Sequence, residues 1–209
     1  MKELISRYPS LQACAAAIEN GRDLLIAGFR SGGKLLVCGN GGSSADSEHI
    51  VGELMKSFLY KREIPETFRE ALEQVAGADG KLLADHLQGA LPAISLTAHS
   101  ALSTAYANDM NPVMVFAQQV YGYGRPEDVF LGISTSGNSA NVVLAAKTAK
   151  AMGLKVIALV GKDRCKLDDI ADVAVHVPQT EAYKAQELHL PIYHYWCLAC
   201  EEAFFGGKQ

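Results

Sequence analysis

Five short runs rich in Val, Ile and Leu, at residues 34–38, 91–97, 129–133, 155–160 and 173–177, constrain the fold of this chain more than any other feature. Each has the length of a strand, and each is separated from the next by enough chain for a helical crossover. Apolar runs of that kind belong to parallel strands covered on both faces. The pattern therefore predicts an α/β fold, a three-layer αβα sandwich around a five-stranded parallel sheet. Upstream, residues 9–30 carry apolar side chains at helical spacing (Leu11, Ala15, Ile18, Leu24, Leu25, Phe29) and end at Gly32-Gly33, which reads as an amphipathic helix with a glycine stop.

With 49% apolar and 20% charged residues, 209 residues can bury one substantial core, so residues 1–209 are read as a single domain. The net charge is −4 and no Lys/Arg block occurs, which leaves no electrostatic footprint for direct nucleic-acid binding. Charged residues interrupt the N-terminal stretch, which is neither a leader peptide nor a membrane span, and the expected location is cytoplasmic. Five cysteines, an odd number that does not resemble a disulfide framework, are expected to be reduced. Cys197 and Cys200 lack a second pair to complete a zinc site and read as buried helical thiols.

In a parallel sheet of this type, ligands sit outside the carboxyl ends of the strands. The polar loops of this chain fall there. Residues 39–44 (GNGGSS) follow the first strand but fail the dinucleotide fingerprint, because Ser44 stands where a small apolar residue is needed; no P-loop Gly-Lys follows either, so no nucleotide cofactor is expected. Residues 134–139 (STSGNS) follow the third strand and open a helix. Free amides of the helix's first turn, its positive dipole end and the hydroxyls of Ser134, Thr135, Ser136 and Ser139 together suit a phosphate; the same residues would also serve simply to cap the helix and shape the turn.

Residues 61–90 mix charge with helical periodicity around Gly77 to Gly80 and read as a helical hairpin inserted before the second strand. His49 and Glu53 lie four apart on the helix after the Gly-rich loop and share a face. In the last helix Gln186, Glu187, His189 and His194 interrupt an apolar, aromatic segment, and Pro191 between them predicts a kink or a restart.

The segments CGNGGSSADSEHIVGEL, AND, LGISTSGNSANVV and AQELHLPIYH together resemble the sugar isomerase (SIS) domain, and most closely the phosphoheptose isomerases, which convert sedoheptulose 7-phosphate to an aldoheptose 7-phosphate. The resemblance implies a flavodoxin-like five-stranded sheet and a homotetramer with active sites shared between subunits. It implies that Asn40, Gly41, Gly42, Ser43, Asn108, Asp109 and Gln186 contact the sugar, and that Ser134, Thr135, Ser136 and Ser139 cradle the phosphate. Glu53 and His194 match the acid/base pair, while His49, Glu53, Gln186 and His194 match a set that holds zinc in some members. Moving a proton between C1 and C2 through a cis-enediol needs a carboxylate base and a second acid/base group, which suits those residue types. Two relatives within the fold give rival expectations: a non-catalytic protein that binds a replication initiator, and a sensor of sugar phosphates. Neither has a chemical need for both Glu53 and His194.

Overall fold

The computed structural model describes residues 1–207. A short helix α1 (Lys2–Arg7) leads through a 3₁₀ segment (Pro9–Cys14) into α2 (Ala15–Arg30). The single helix expected over 9–30 is thus divided: Pro9 starts the tighter turn, and regular helix begins at Ala15. Gly32, in the left-handed region at φ 81°, ends it as expected. There follow β1 (Leu35–Cys38), α3 (Gly42–Met55), α4 (Glu66–Ala76), α5 (Ala78–His86), β2 (Ala93–Ser95), α6 (Ser100–Asp109), α7 (Val115–Tyr123), β3 (Val129–Ser134), α8 (Ala140–Ala151), β4 (Lys155–Val160), β5 (Val173–His176) and α9 (Ala182–Phe205).

All five strands are parallel, in the order β2-β1-β3-β4-β5. β2 shrinks to three residues at the sheet edge, with Pro92 just ahead of it, a residue that cannot extend a ladder. Side chains alternate between two cores. Leu35, Val37, Val129, Leu131, Ile133, Ile157 and Leu159 point toward α2, α3 and α9, while Leu36, Phe130, Val156, Ala158 and Val160 point toward α7 and α8. Three layers result.

At the amino ends of β1 and β3, buried Asp128 accepts from the Lys34 amide (2.8 Å), Lys34 Nζ (2.6 Å) and the Arg125 amide (2.7 Å), locking the two strands in register. Residues 61–90 contain the helical hairpin α4–α5, joined at Gly77, and α4 buries none of its residues. The chain leaves β1 toward β2 on one side and returns to β3 on the other, so the sheet's switch point lies between β1 and β3, where a crevice opens at the carboxyl ends.

Candidate active site

Two loops border that crevice. Residues 39–42 leave β1, residues 135–139 leave β3, and Asn40 and Asn141 join them by a reciprocal pair of side-chain bonds of 3.0 and 2.9 Å. Asn141 was not among the residues expected from sequence; its place just after the serine loop was the one available signal. Gly137 is required twice over, by its φ of 62° and because a Cβ there would stand 2.1 Å from Cys165 Sγ. Ser134 ends β3, and its hydroxyl meets that of Ser139 at 3.0 Å. Ser139 makes no side-chain cap of α8, so simple helix capping does not explain it. Ser136 and Asn138 do shape the turn: the Asn138 amide donates to Ser136 Oγ (3.2 Å), and Asn138 Nδ2 donates to the Ser136 carbonyl (2.8 Å).

A cavity of about 200 Å³ lies against this loop, lined by Thr135, Ser136, Asn138, Lys162, Asp163 and Thr180. Hydroxyls, the positive end of α8 and the Lys162 ammonium favour an anion there, against the Asp163 carboxylate on the same wall. Lys162 and Thr180 come from the chain after β4 and after β5, far from the serine loop in sequence, so no local motif announced them.

The second cluster lies on the other side of the sheet, where α3 packs on α9. His49 Nε2 is 3.3 Å from Glu53 Oε1, and Lys56 Nζ is 3.0 Å from Glu53 Oε2. The His194 ring stands edge-on to that of His49 at 5.0 Å and also meets Phe58 at 5.6 Å. Burial and the neighbouring His49 push the His194 imidazole below the ordinary histidine value, and its buried Nε2 has no hydrogen-bond partner among the described residues. Arg62 holds this end of α3 in place: buried with Glu201, it donates Nε to Glu201 Oε1 (2.8 Å), Nη1 to the Leu54 carbonyl (2.6 Å) and Nη2 to the Glu53 carbonyl (2.9 Å).

Pro191 does not end or restart the last helix; α9 continues through it for 24 residues. Gln186 and His194 are therefore separated by eight residues of one helix, about 12 Å of axial rise. Gln186 lies against the start of α3, where a Cβ on Gly42 would stand 2.6 Å from Gln186 Nε2; His194 joins His49 and Glu53 farther down. His49, Glu53 and His194 lie together, and among the described residues no group of three or more His, Cys, Asp or Glu is arranged to hold a metal ion. Asn108 donates to Asp109 (2.9 Å) at the exposed end of α6, a helix that buries none of its residues; Ser43, at the start of α3, is buried and its carbonyl accepts from Ser47 Oγ. All five cysteines are free and buried, and burial raises each thiol above its ordinary value, so none is set up as a nucleophile.

The SIS domain pattern matches residues 71–161. Phosphoheptose isomerase of Rhodospirillum rubrum is 34% identical over 91% of this chain and 87% of its own length, and that of Synechocystis is 36% identical over 95% and 89%. The chain belongs to the phosphoheptose isomerase family. Among solved structures, the phosphoheptose isomerase of Neisseria gonorrhoeae superposes with a TM-score of 0.75 at 30% identity, covering 96% of this chain and 94% of that one. The enzyme of Francisella tularensis gives 0.77 at 28% identity and the same coverage. For this phosphoheptose isomerase family member, the three-layer fold with its five-stranded parallel sheet is that of its solved relatives, and the chain is an isomerase. No helix among the described residues is long and apolar enough to cross a membrane.

Proposed function

We propose that this chain interconverts sedoheptulose 7-phosphate and D-glycero-D-manno-heptose 7-phosphate in the cytoplasm. The observation that carries this reading is a division of labour: an anion-suited cavity at the serine loop, and a separate carboxylate–imidazole cluster of Glu53, His49 and His194. The phosphate lies against Ser134, Thr135, Ser136, Ser139 and the first turn of α8, with Lys162 balancing its charge, while Asn40, Gly41, Gly42, Ser43, Asn108, Asp109 and Gln186 serve the sugar chain. Glu53 takes the C1 proton of the open-chain ketose, the electron pair moves into a cis-enediolate, and, after the proton on Glu53 exchanges with solvent, a solvent-derived proton is delivered at C2. His194, kept neutral at pH 7 by its depressed value, takes a proton from one of the two oxygens and gives one to the other.

Along α3, Glu53 lies eleven residues beyond Gly42, about 16 Å of helix, and α8, which the serine loop opens, packs on the opposite face of the sheet from α3. This supports a homotetramer in which the serine loop of one subunit faces the Glu53 cluster of another. An open groove of about 480 Å³ between α1 and α9, walled by Leu4, Tyr8, Leu59, Leu190, Leu198 and His194, favours the same arrangement. Zinc fits His49, Glu53, Gln186 and His194 in donor chemistry, and the unpartnered Nε2 of His194 is the observation in its favour. A bound zinc would polarise the substrate carbonyl.

The test is turnover of sedoheptulose 7-phosphate against a panel of ketose phosphates, before and after dialysis into chelator, with elemental analysis of untagged protein. Aldose formation from the heptulose phosphate is expected. Full activity in chelator with substoichiometric zinc would remove the metal and leave the isomerase reading intact.

A further inference from the structure

A carboxylate–imidazole pair near the serine loop, Asp168 and His176, has no part in the reaction as written. His176 is the last residue of β5, beside Val160 at the end of β4; Asp168 lies in the chain between those strands, residues 161–172, which contains neither helix nor strand. His176 Nε2 is 2.7 Å from Asp168 Oδ1, and His176 Nδ1 is 2.9 Å from the Gly161 carbonyl. Both partners accept, so the ring joins Gly161 to Asp168 through two hydrogen bonds when each nitrogen carries a proton. The other Asp168 oxygen accepts from the Cys165 amide at 2.7 Å. Burial opposes the charge of Asp168, but the Cys165 amide and His176 outweigh it and hold the carboxyl below its ordinary value. The segment pinned in this way meets the serine loop at three points. The Gly161 amide donates to the Thr135 carbonyl (3.0 Å), the Lys166 amide to Asn138 Oδ1 (3.0 Å) and the Leu167 amide to the Gly137 carbonyl (3.3 Å). It also brings Lys162 to the anion-suited cavity. An irregular segment has no ladder of its own to keep its shape, so side-chain ties fix it.

We propose that Asp168 and His176 are positioning residues for the phosphate: by clamping residues 161–168 they hold the serine loop in its cradle shape and keep Lys162 at the cavity. Neither side chain lines the cavity, so each acts through the loop. The consequence for phosphate rests on the isomerase reading; the clamp itself does not.

The test pairs amide hydrogen exchange on the full-length protein with calorimetric titration of inorganic phosphate and steady-state kinetics on sedoheptulose 7-phosphate. In His176→Ala, exchange at the Gly161, Lys166 and Leu167 amides is expected to quicken while the β3–β4 ladder keeps its wild-type protection. Phosphate is expected to bind about 10-fold more weakly, the equivalent of one charge-assisted hydrogen bond lost from the cradle, and KM to rise in step with kcat little changed. Asp168→Ala cuts the clamp from its other end and is expected to give the same result, which keeps the test open should His176→Ala fold poorly. Asp168→Asn is expected to behave as wild type. Its amide oxygen still accepts from Cys165, and its Nδ2 donates to Nε2 of a ring that keeps its Nδ1 proton for Gly161. Unchanged exchange at the three amides, phosphate bound as tightly as by wild type, faster exchange throughout the sheet, or an Asn variant as impaired as the Ala one would each overturn the proposal. Faster exchange at those amides alone, in a protein whose wild type neither binds phosphate nor isomerises a sugar phosphate, would uphold the clamp and sink the isomerase reading instead.

Discussion

At the scale of single residues, Glu53 carries the heaviest assignment. Glu53→Gln keeps the side chain's shape but removes the base, so turnover should fall roughly 10²- to 10⁴-fold while binding of a phosphate ester stays measurable. Steady-state kinetics beside calorimetric binding would check both halves; wild-type turnover in the variant would remove Glu53 from proton transfer. On the opposite side of the site, Ser134→Ala with Ser136→Ala should weaken all phosphorylated sugars alike, by roughly 1.5–3 kcal/mol for each lost bond to the charged group. Equal affinity for the phosphate ester would show that the hydroxyls only shape the turn. Individual side chains were legible in sequence to the extent that their partners are local: the i, i+4 spacing brought His49 to Glu53, and the STSGNS run marked the loop. Lys162, Asn141 and Tyr193 were not, because each reaches the site through tertiary packing from another element.

At the scale of elements, α9 does most of the organising. Its burial is readable from aromatic and apolar residues, but its continuity is not: Pro191 predicts a kink or a restart, whereas one helix, packed on α2 and α3, continues through it. Near its middle, His189 is fully buried, donates Nε2–H to the Val160 carbonyl at 3.3 Å, and is pushed by burial to about 4 from its ordinary 6.5. The unfolded chain binds that proton near pH 6.5 and the folded chain only near pH 4, so acid favours unfolding across that window. Stability should fall as pH drops from 6.5 to 4, by roughly 3 kcal/mol from this group. Urea unfolding across that range would show it, and His189→Gln should flatten the slope; an unchanged slope would clear His189 of the effect. Nearer the carboxyl end of α9, Arg62 and Glu201 form a fully buried pair. Burial opposes the charge of Glu201, but the Phe58 and Leu59 amides and Arg62 outweigh it and hold the carboxyl below its ordinary value. Arg62→Ala strands that charge and frees the Leu54 and Glu53 carbonyls, so a loss of about 3–5 kcal/mol is expected in denaturant titration.

At the scale of the whole molecule, the sheet was legible because five buried runs leave few other folds, and strand ends differed by only a few residues where edge position and Pro92 shortened β2. What the sequence could not show is that α8, opened by the serine loop, and α3, which carries Glu53, cover opposite faces of the sheet. That separation makes subunit sharing testable. When Glu53→Gln and Ser134→Ala/Ser136→Ala chains are co-assembled, shared sites regain one intact loop facing one intact Glu53, and activity should recover; sites confined to single chains would stay dead in every mixture. The most direct measurement of the central claim is a proton NMR time course with sedoheptulose 7-phosphate in D₂O. An isomerase working through a cis-enediol should yield the aldoheptose phosphate with deuterium at C2, and Glu53→Gln should yield neither product nor label. Failure of the wild-type protein to form aldose from this ketose phosphate would contradict the account.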